Sequence, residues 1–433
     1  MSSGSANNKS PICHKCLGDK FLKERVRQQG TVELCHFCGA RAKCIAVEIL
    51  ADWVGNALDE NYELGLSWPY YDGDSDSISH YEQEGSGLDD IVSEIIEAEP
   101  PIIDAVINEL TALSYIEIKD GGEPRYDSEA NYVEKSVSTY EVEWEWKQFR
   151  HELRHRSRFF NSDAKAFLDR LMQDINNLRA SGKGRNSVIR TISPDDTTVY
   201  YRARRADSSY VLKLIMESPR EQLGPPPPET AAAGRMNAEG ISVFYGAMDL
   251  TTCVTELRPS IGSTVVSAEF KLLKPIRVLD FQLLEECYHE QPLSYFQPDF
   301  SEKMSYRKFL SRLHSKIRLP ILPGNENEYL VTQVLAEYMA TIIHPRIDGV
   351  IFSSVQHQDG LNLVLFGHIL DIQLNSDRES IMGHNSSLKL REDSVRVHRI
   401  KTINYEFDKH NLKDIDVERF YRSDEYLDYD DDW

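Results

Sequence analysis

No apolar run in this 433-residue chain approaches the roughly 18–20 residues that a membrane-spanning helix needs, and the first ten residues are polar. No transmembrane anchor, secretory leader or membrane partner is therefore expected. Cysteine is scarce, seven in all, too few for a disulfide framework in a chain of this length. An odd count would also strand a thiol in an oxidising compartment. Positive charge is in deficit as well: 49 Lys and Arg stand against 70 Asp and Glu, a net charge of −21. That balance argues against bulk attraction to DNA, RNA or anionic lipid, which bind through cations that displace counterions. What is present is enough to fold, with 41% hydrophobic and 27% charged residues over a length that predicts two to four domains. A soluble, cytoplasmic protein is expected.

The charge deficit is local. From Cys44 to Glu117 there is no Lys or Arg at all but eighteen Asp and Glu. Within that block, Ile45 to Leu58 and Leu88 to Leu113 carry apolar residues at helical spacing, such as Ile91, Ile95 and Ile96, then Ile102, Val106 and Leu110, which predicts amphipathic helices with acidic outer faces. Tyr70 to Gly87, rich in Asp, Ser and Gly, reads as a loop. Between Lys147 and Arg190 the sign reverses, with eleven bases against four acids on a second pair of helices. The two blocks could attract each other, or each could meet a partner. Ala180 to Asn186 reads as a linker, and the chain after Asn404 as a solvated acidic tail.

Four of the seven cysteines fall early, as Cys13-x-x-Cys16 and Cys35-x-x-Cys38. Each pair places two thiolates on one tight knuckle, and two knuckles complete a tetrahedral Cys₄ shell, so a structural zinc ribbon is expected. Gly18 and Gly39 follow the pairs where knuckles turn, and His14 and His36 are weaker alternative ligands. With four protein ligands the site would be closed and structural.

The stretch Thr197 to Leu374 has another texture, with β-rich segments such as Val199 to Arg202, Ser242 to Gly246, Thr264 to Leu272 and Asp348 to Ser354 between helical runs. Its motifs run Tyr201-Arg202-Ala203-Arg204, Gly234-Arg235-Met236-Asn237-x-x-Gly240, Val243-Phe244-Tyr245-Gly246, Thr255-Glu256-Leu257, then Asp348 to Val355 followed by Asn362. In that order they resemble the RES family, named for Arg, Glu and Ser. The resemblance implies an ADP-ribosyltransferase-like α/β domain whose split sheet clasps NAD⁺. It implies cleavage of the nicotinamide–ribose bond, in several members with phosphate as acceptor, giving nicotinamide and ADP-ribose 1″-phosphate. It also implies a bacterial toxin paired with an antitoxin.

The residues read alone agree with that chemistry. Breaking an N-glycosidic bond builds positive charge on the ribose, which a carboxylate can stabilise or orient through a sugar hydroxyl, and Glu256 is the acid in the matching motif. Two phosphates call for planar cationic forks, offered by Arg202 and Arg235, either of which could instead hold an incoming phosphate. Tyr245 offers an aromatic face and a hydroxyl. Ser354 would hydrogen-bond substrate or acceptor rather than attack, since no His-Asp pair accompanies it in the manner of a hydrolase triad. Asn237, Asn362 and Gln333 rank second, with Asn237 and Asn362 as candidate cofactor contacts. Pro225 to Pro228 reads as a stiff connector, and Glu337 as solvent-facing on a helix from Asn327 to Ile343 whose buried stripe is Leu330, Val334, Leu335, Tyr338 and Ile342.

A competing constellation lies in Arg150-His151-Glu152-Leu153-Arg154-His155, which resembles the R-x₄₋₆-H motif of HEPN domains, helical bundles that often act as metal-independent RNases. The resemblance implies RNA at Arg150 and His155 and a homodimer through the helical module; elsewhere nucleic acid is not expected.

The fold class expected is multidomain α+β: a zinc ribbon over 1–44, a HEPN-like helical domain over 45–190, an ADP-ribosyltransferase-like RES domain with a split sheet over 197–374, and an extension with an acidic tail over 375–433. The function expected is an NAD⁺-degrading enzyme, phosphorylase or glycohydrolase, controlled by its amino-terminal module, with structural Zn²⁺, phosphate as co-substrate and an antitoxin or basic protein as partner. The alternatives are a HEPN ribonuclease with a RES sensor, and a noncatalytic zinc-bearing interaction protein.

Overall fold

A computed structural model describes residues 10–71, 78–119, 125–180, 186–196, 198–285, 287–289, 292–318, 329–370, 387–404 and 409–415. Most of the expected acidic tail and of the Ala180 to Asn186 linker therefore lies outside the described residues. Two compact units emerge, one formed by residues 1–138 and 292–305, the other by residues 139–291 and 306–433. The helical domain expected over 45–190 is not one body. Its acidic helices belong to the first unit, and its basic helices, Tyr140–His155 and Ser162–Leu171, to the second.

The first unit opens on a three-stranded antiparallel sheet in which Arg41–Ala46 lies between Pro11–Cys13 and Thr31–Leu34. Helices Val47–Asn61, Leu88–Ile96 and Pro100–Lys119 follow. Their apolar faces meet as the periodicity predicts, with Leu50, Val54, Ile91, Ile96, Ile102, Val106 and Leu110 in one core. Tyr70 to Gly87 is not a plain loop: Ser67–Tyr71 and Ile78–Gln83 pair as a hairpin. Trp68, Tyr70, His80 and Tyr81 supply the aromatic residues that favour extended backbone, which outweighed the loop-forming composition around them.

The second unit is built on a nine-stranded mixed sheet. Its strands run, side by side, Ile189–Ile192, Ile276–Asp280, Gly349–Ser353, Leu361–Leu365, Phe244–Ala247, Tyr200–Arg205, Thr264–Leu272 and Leu388–Leu390, with Arg396–Arg399 also pairing on Thr264–Leu272. The pair Ile276–Asp280 and Gly349–Ser353 is parallel, and the other pairs are antiparallel. Alternate residues point to opposite faces, so Leu279, Val350 and Val364 enter one core while Val278, Ile351, Leu363 and Leu365 enter another. Burial on both sides explains the nearly continuous apolar runs at Gly349–Ser353 and Leu361–Leu365.

Helices Tyr140–His155, Ser162–Leu171 and Tyr329–Thr341 cover the first of these faces, with Val142, Trp146, Phe149 and Leu153 in the same core as Leu279 and Val364. Within Tyr329–Thr341 the buried residues are Val331, Thr332, Leu335, Ala336, Tyr338 and Met339; Glu337 is exposed, and Ile342, beyond the helix, is exposed rather than part of a buried stripe. The expected split sheet is one continuous path. It is nearly parted at one joint, where Phe244–Ala247 meets Tyr200–Arg205 through the single pair Tyr201 and Ala247, whereas the neighbouring pairings hold four and six residues.

Candidate functional site

The thin joint is where the RES-like motifs converge. Arg202 leaves the strand Tyr200–Arg205 and donates through Nη1 to the Tyr245 carbonyl at 3.2 Å, a side-chain bond where strand pairing has lapsed. Its guanidinium lies 5.3 Å from the Phe244 ring centre. Burial pulls the Arg202 pKa down to about 10, so it stays protonated at neutral pH, and among the described residues no carboxylate pairs with it.

Tyr245 hangs from the middle of Phe244–Ala247 toward the turn Gly234–Asn237. Its hydroxyl donates to Asn237 Oδ1 at 2.9 Å and accepts from the Met236 amide at 2.8 Å. Burial pushes this phenol up to about 12, so it remains a neutral donor. The turn needs Gly234, because a Cβ there would sit 2.7 Å from the Tyr245 hydroxyl. Gln333 Nε2 donates to the Gly234 and Asn237 carbonyls, both at 2.9 Å, and the Asn237 amide is spent on three backbone carbonyls, so both residues build the turn. Arg235 bonds to the Ile317 carbonyl, and burial lowers its pKa against the opposing fields of Tyr329, Glu256 and Tyr245.

Glu256 ends the six-residue helix Leu250–Thr255 and is exposed. Its Oε1 accepts from the Ser354 hydroxyl at 2.6 Å and from Asn362 Nδ2 at 2.8 Å, while Oε2 has no hydrogen-bond partner among the described residues. Asn362, 7% exposed, faces Ala247 and Phe352 in the sheet and carries its amide to the carboxylate from the strand itself. Ser354 Oγ accepts from the Gln356 and His357 amides at 3.1 and 3.2 Å and gives its proton to Glu256, an arrangement that suits positioning and not nucleophilic attack.

The structure thus brings Arg202, Arg235, Asn237, Tyr245, Glu256, Ser354 and Asn362 into one connected cluster of hydrogen bonds and mutual fields. Sequence reasoning missed several neighbours: Asp249, Thr252 and His357, which are hydrogen-bonded in series beside Glu256, and Cys253, whose thiol burial pushes up to about 12 and keeps un-ionised against the Arg202 field. Asp249-Leu250-Thr251-Thr252 carries the pattern of a helix N-cap, a legible signal, but nothing in the sequence ties it to His357.

In the first unit the four expected thiols meet. Cys13 and Cys16 Sγ lie 3.6 Å apart, Cys13 and Cys38 3.6 Å, and Cys16 and Cys35 3.7 Å, with all four within 4.8 Å of one another. Tetrahedral zinc with Zn–S bonds near 2.3 Å requires S···S separations of about 3.8 Å, so the set fits the ion. His14 bonds instead to the Lys43 carbonyl at 3.3 Å and His36 packs edge-on against Phe37, so neither joins the group. Gly39, at φ +69°, supplies the left-handed turn of the second knuckle. Gly18 has a different role: a Cβ there would meet Glu97 Cβ at 2.2 Å.

Arg150 and His155 share the helix Tyr140–His155, whose buried side is part of the core over the large sheet. His155, its last residue, is exposed, with its ring 4.9 Å from that of His151. Among the described residues no helix is long and apolar enough to cross a membrane.

The second unit is a mixed α/β structure with a carboxylate and guanidinium cluster at the sheet joint held by the single pair Tyr201 and Ala247. Residues 199–379 match the family model of the RES domain, a family associated with enzymes that act on NAD⁺. The match spans less than half of the chain and does not reach the Cys₄ unit or the helices before residue 199. No curated protein matches the chain.

Proposed function

We propose that the RES domain cleaves the nicotinamide–ribose bond of NAD⁺ in an ADP-ribosyltransferase-like cleft, with phosphate as acceptor, and that the amino-terminal unit controls it. The C1′–N bond breaks with its electron pair going to nicotinamide, and a phosphate oxygen forms the new bond to C1′, giving ADP-ribose 1″-phosphate. The observation that carries this reading is a carboxylate with one oxygen fixed and one open, Glu256, clustered with two desolvated guanidiniums, Arg202 and Arg235. The open Oε2 suits a ribose hydroxyl or the developing cation, and the Arg202 guanidinium, which pairs with no carboxylate among the described residues, suits a diphosphate. Tyr245 offers its ring to the nicotinamide riboside.

Purified full-length protein incubated with NAD⁺ is expected to release nicotinamide, faster with phosphate than without, as followed by chromatography. Glu256→Gln is expected to lower the rate at least about 100-fold, the scale of losing one electrostatic contact to a transition state. Absence of release from the wild type in both buffers, or an undiminished rate in the variant, would overturn the proposal.

A further inference from the structure

We propose that His357 is a positioning residue: its imidazole ties the loop Ser354–Gly360 to the helix Leu250–Thr255 and so aims Ser354 at Glu256. This deepens the reading of Glu256 as the reacting carboxylate and rests on it.

The tie is built in series. Asp249 caps the helix, with Oδ1 accepting from the Thr252 amide at 2.8 Å and Oδ2 from the Thr252 hydroxyl at 2.5 Å. Burial alone would raise the Asp249 pKa, but these bonds from Thr252 outweigh it and hold it below the ordinary carboxylate value. An ionised carboxylate only accepts, so the single proton of the Thr252 hydroxyl is committed to Asp249. The 2.8 Å contact between Thr252 Oγ1 and His357 Nδ1 must therefore use a proton on the ring, which assigns Nδ1 as the donor and sets the imidazole's orientation. Thr252 is fully buried. It stands one turn before Glu256, whose amide donates to the Thr252 carbonyl at 3.1 Å, so the loop is anchored one turn from the carboxylate.

The other end of the tie is the loop. The His357 and Gln356 amides occupy the acceptor positions of Ser354 Oγ, leaving its proton for Glu256. The Ser354 amide donates to the Gly360 carbonyl at 2.8 Å, and the Gly360 amide to the His357 carbonyl at 3.1 Å. Gly360 is required, since a Cβ there would lie 2.3 Å from Thr252 Oγ1 and 2.9 Å from His357 Nδ1, in the space through which ring and hydroxyl meet. Releasing the ring frees the two amides that orient the serine.

Full-length His357→Ala is expected to lose at least about tenfold in kcat for nicotinamide release, with KM for NAD⁺ changed less than about threefold. His357→Asn, whose Nδ2 stands where Nδ1 stood, is expected to recover most of the rate. Thr252→Val, which also removes the hydroxyl bond to Asp249, should lose at least as much as His357→Ala, and the double variant should be no worse than Thr252→Val alone, because both break the contact with His357. Hydrogen exchange at the Gln356 and His357 amides should accelerate in His357→Ala and not in His357→Asn. An unchanged kcat in His357→Ala, failure of asparagine to rescue, or additive losses would overturn the proposal. Were the wild type to release no nicotinamide, the NAD⁺ reading would fall, while the exchange measurement would still judge the tie: unaltered protection in His357→Ala would overturn it.

Discussion

Arg202 carries a guanidinium whose burial lowers its pKa and which, among the described residues, bonds a carbonyl and faces an aromatic ring but pairs with no carboxylate. Its folded pKa, about 10, lies below the unfolded value, so the folded state is the poorer proton binder between the two. The charged side chain accordingly opposes folding at neutral pH, and that penalty is relieved only as pH rises through about 10. Arg202→Met, which keeps the length and removes the charge, is expected to raise stability by about 1 kcal/mol in a denaturant melt while abolishing NAD⁺ turnover. A variant that loses stability would show that Arg202 serves the fold rather than a ligand. The residue types were legible in the sequence because Arg, Tyr, Glu, Ser and Asn recur in a known order. Their partners were not: Asn362 next to Glu256 and His357 next to Thr252 are separated by about a hundred residues, and only strand register and loop closure bring them within 3 Å.

At the scale of elements, composition located strands such as Thr264–Leu272 and Gly349–Ser353 to within a few residues but missed the hairpin of Ser67–Tyr71 and Ile78–Gln83. Which element covers which was hidden. The helix Tyr140–His155 has an exposed side rich in charge that reads as an independent module, yet Trp146 is buried among Phe149, Phe167 and Phe309, with ring centres 5.4, 6.3 and 5.6 Å away. Its acid Glu145 takes a base of the neighbouring helix Ser162–Leu171 as partner: Arg170 bonds Glu145 at 2.6 Å and the Tyr306 hydroxyl at 2.7 Å. Trp146→Ala is expected to cost about 3–5 kcal/mol in the unfolding of the RES-containing unit, measured by chemical denaturation. A cost under about 1 kcal/mol would mean that the helix is dispensable to that core.

At the scale of the whole molecule, the chain leaves its first unit after residue 138 and returns to it for residues 292–305, an excursion no linear reading of linkers reveals. The acidic block lies in the first unit and the basic helices in the second, so the net charge of −21 is the sum of differently charged units. At the amino-terminal end of the first unit, four thiols within 4.8 Å of one another form a set that fits a zinc ion. Purified protein is expected to carry one equivalent of zinc by elemental analysis, and Cys16→Ser to lose it together with a lowered melting temperature. Zinc-free wild type after growth in zinc-replete medium would refute the assignment.

The sequence by itself determined the thiol spacing, the apolar periods and the order of the RES motifs, because each is a local pattern that short-range geometry dictates. The tertiary structure decided the rest: that the sheet is continuous but held at one joint by a single residue pair, that Glu256 has one oxygen bound and one open, and that a histidine from a distant loop reaches a buried threonine. Those features depend on strand register and on contacts between residues far apart in the chain, which no local pattern encodes.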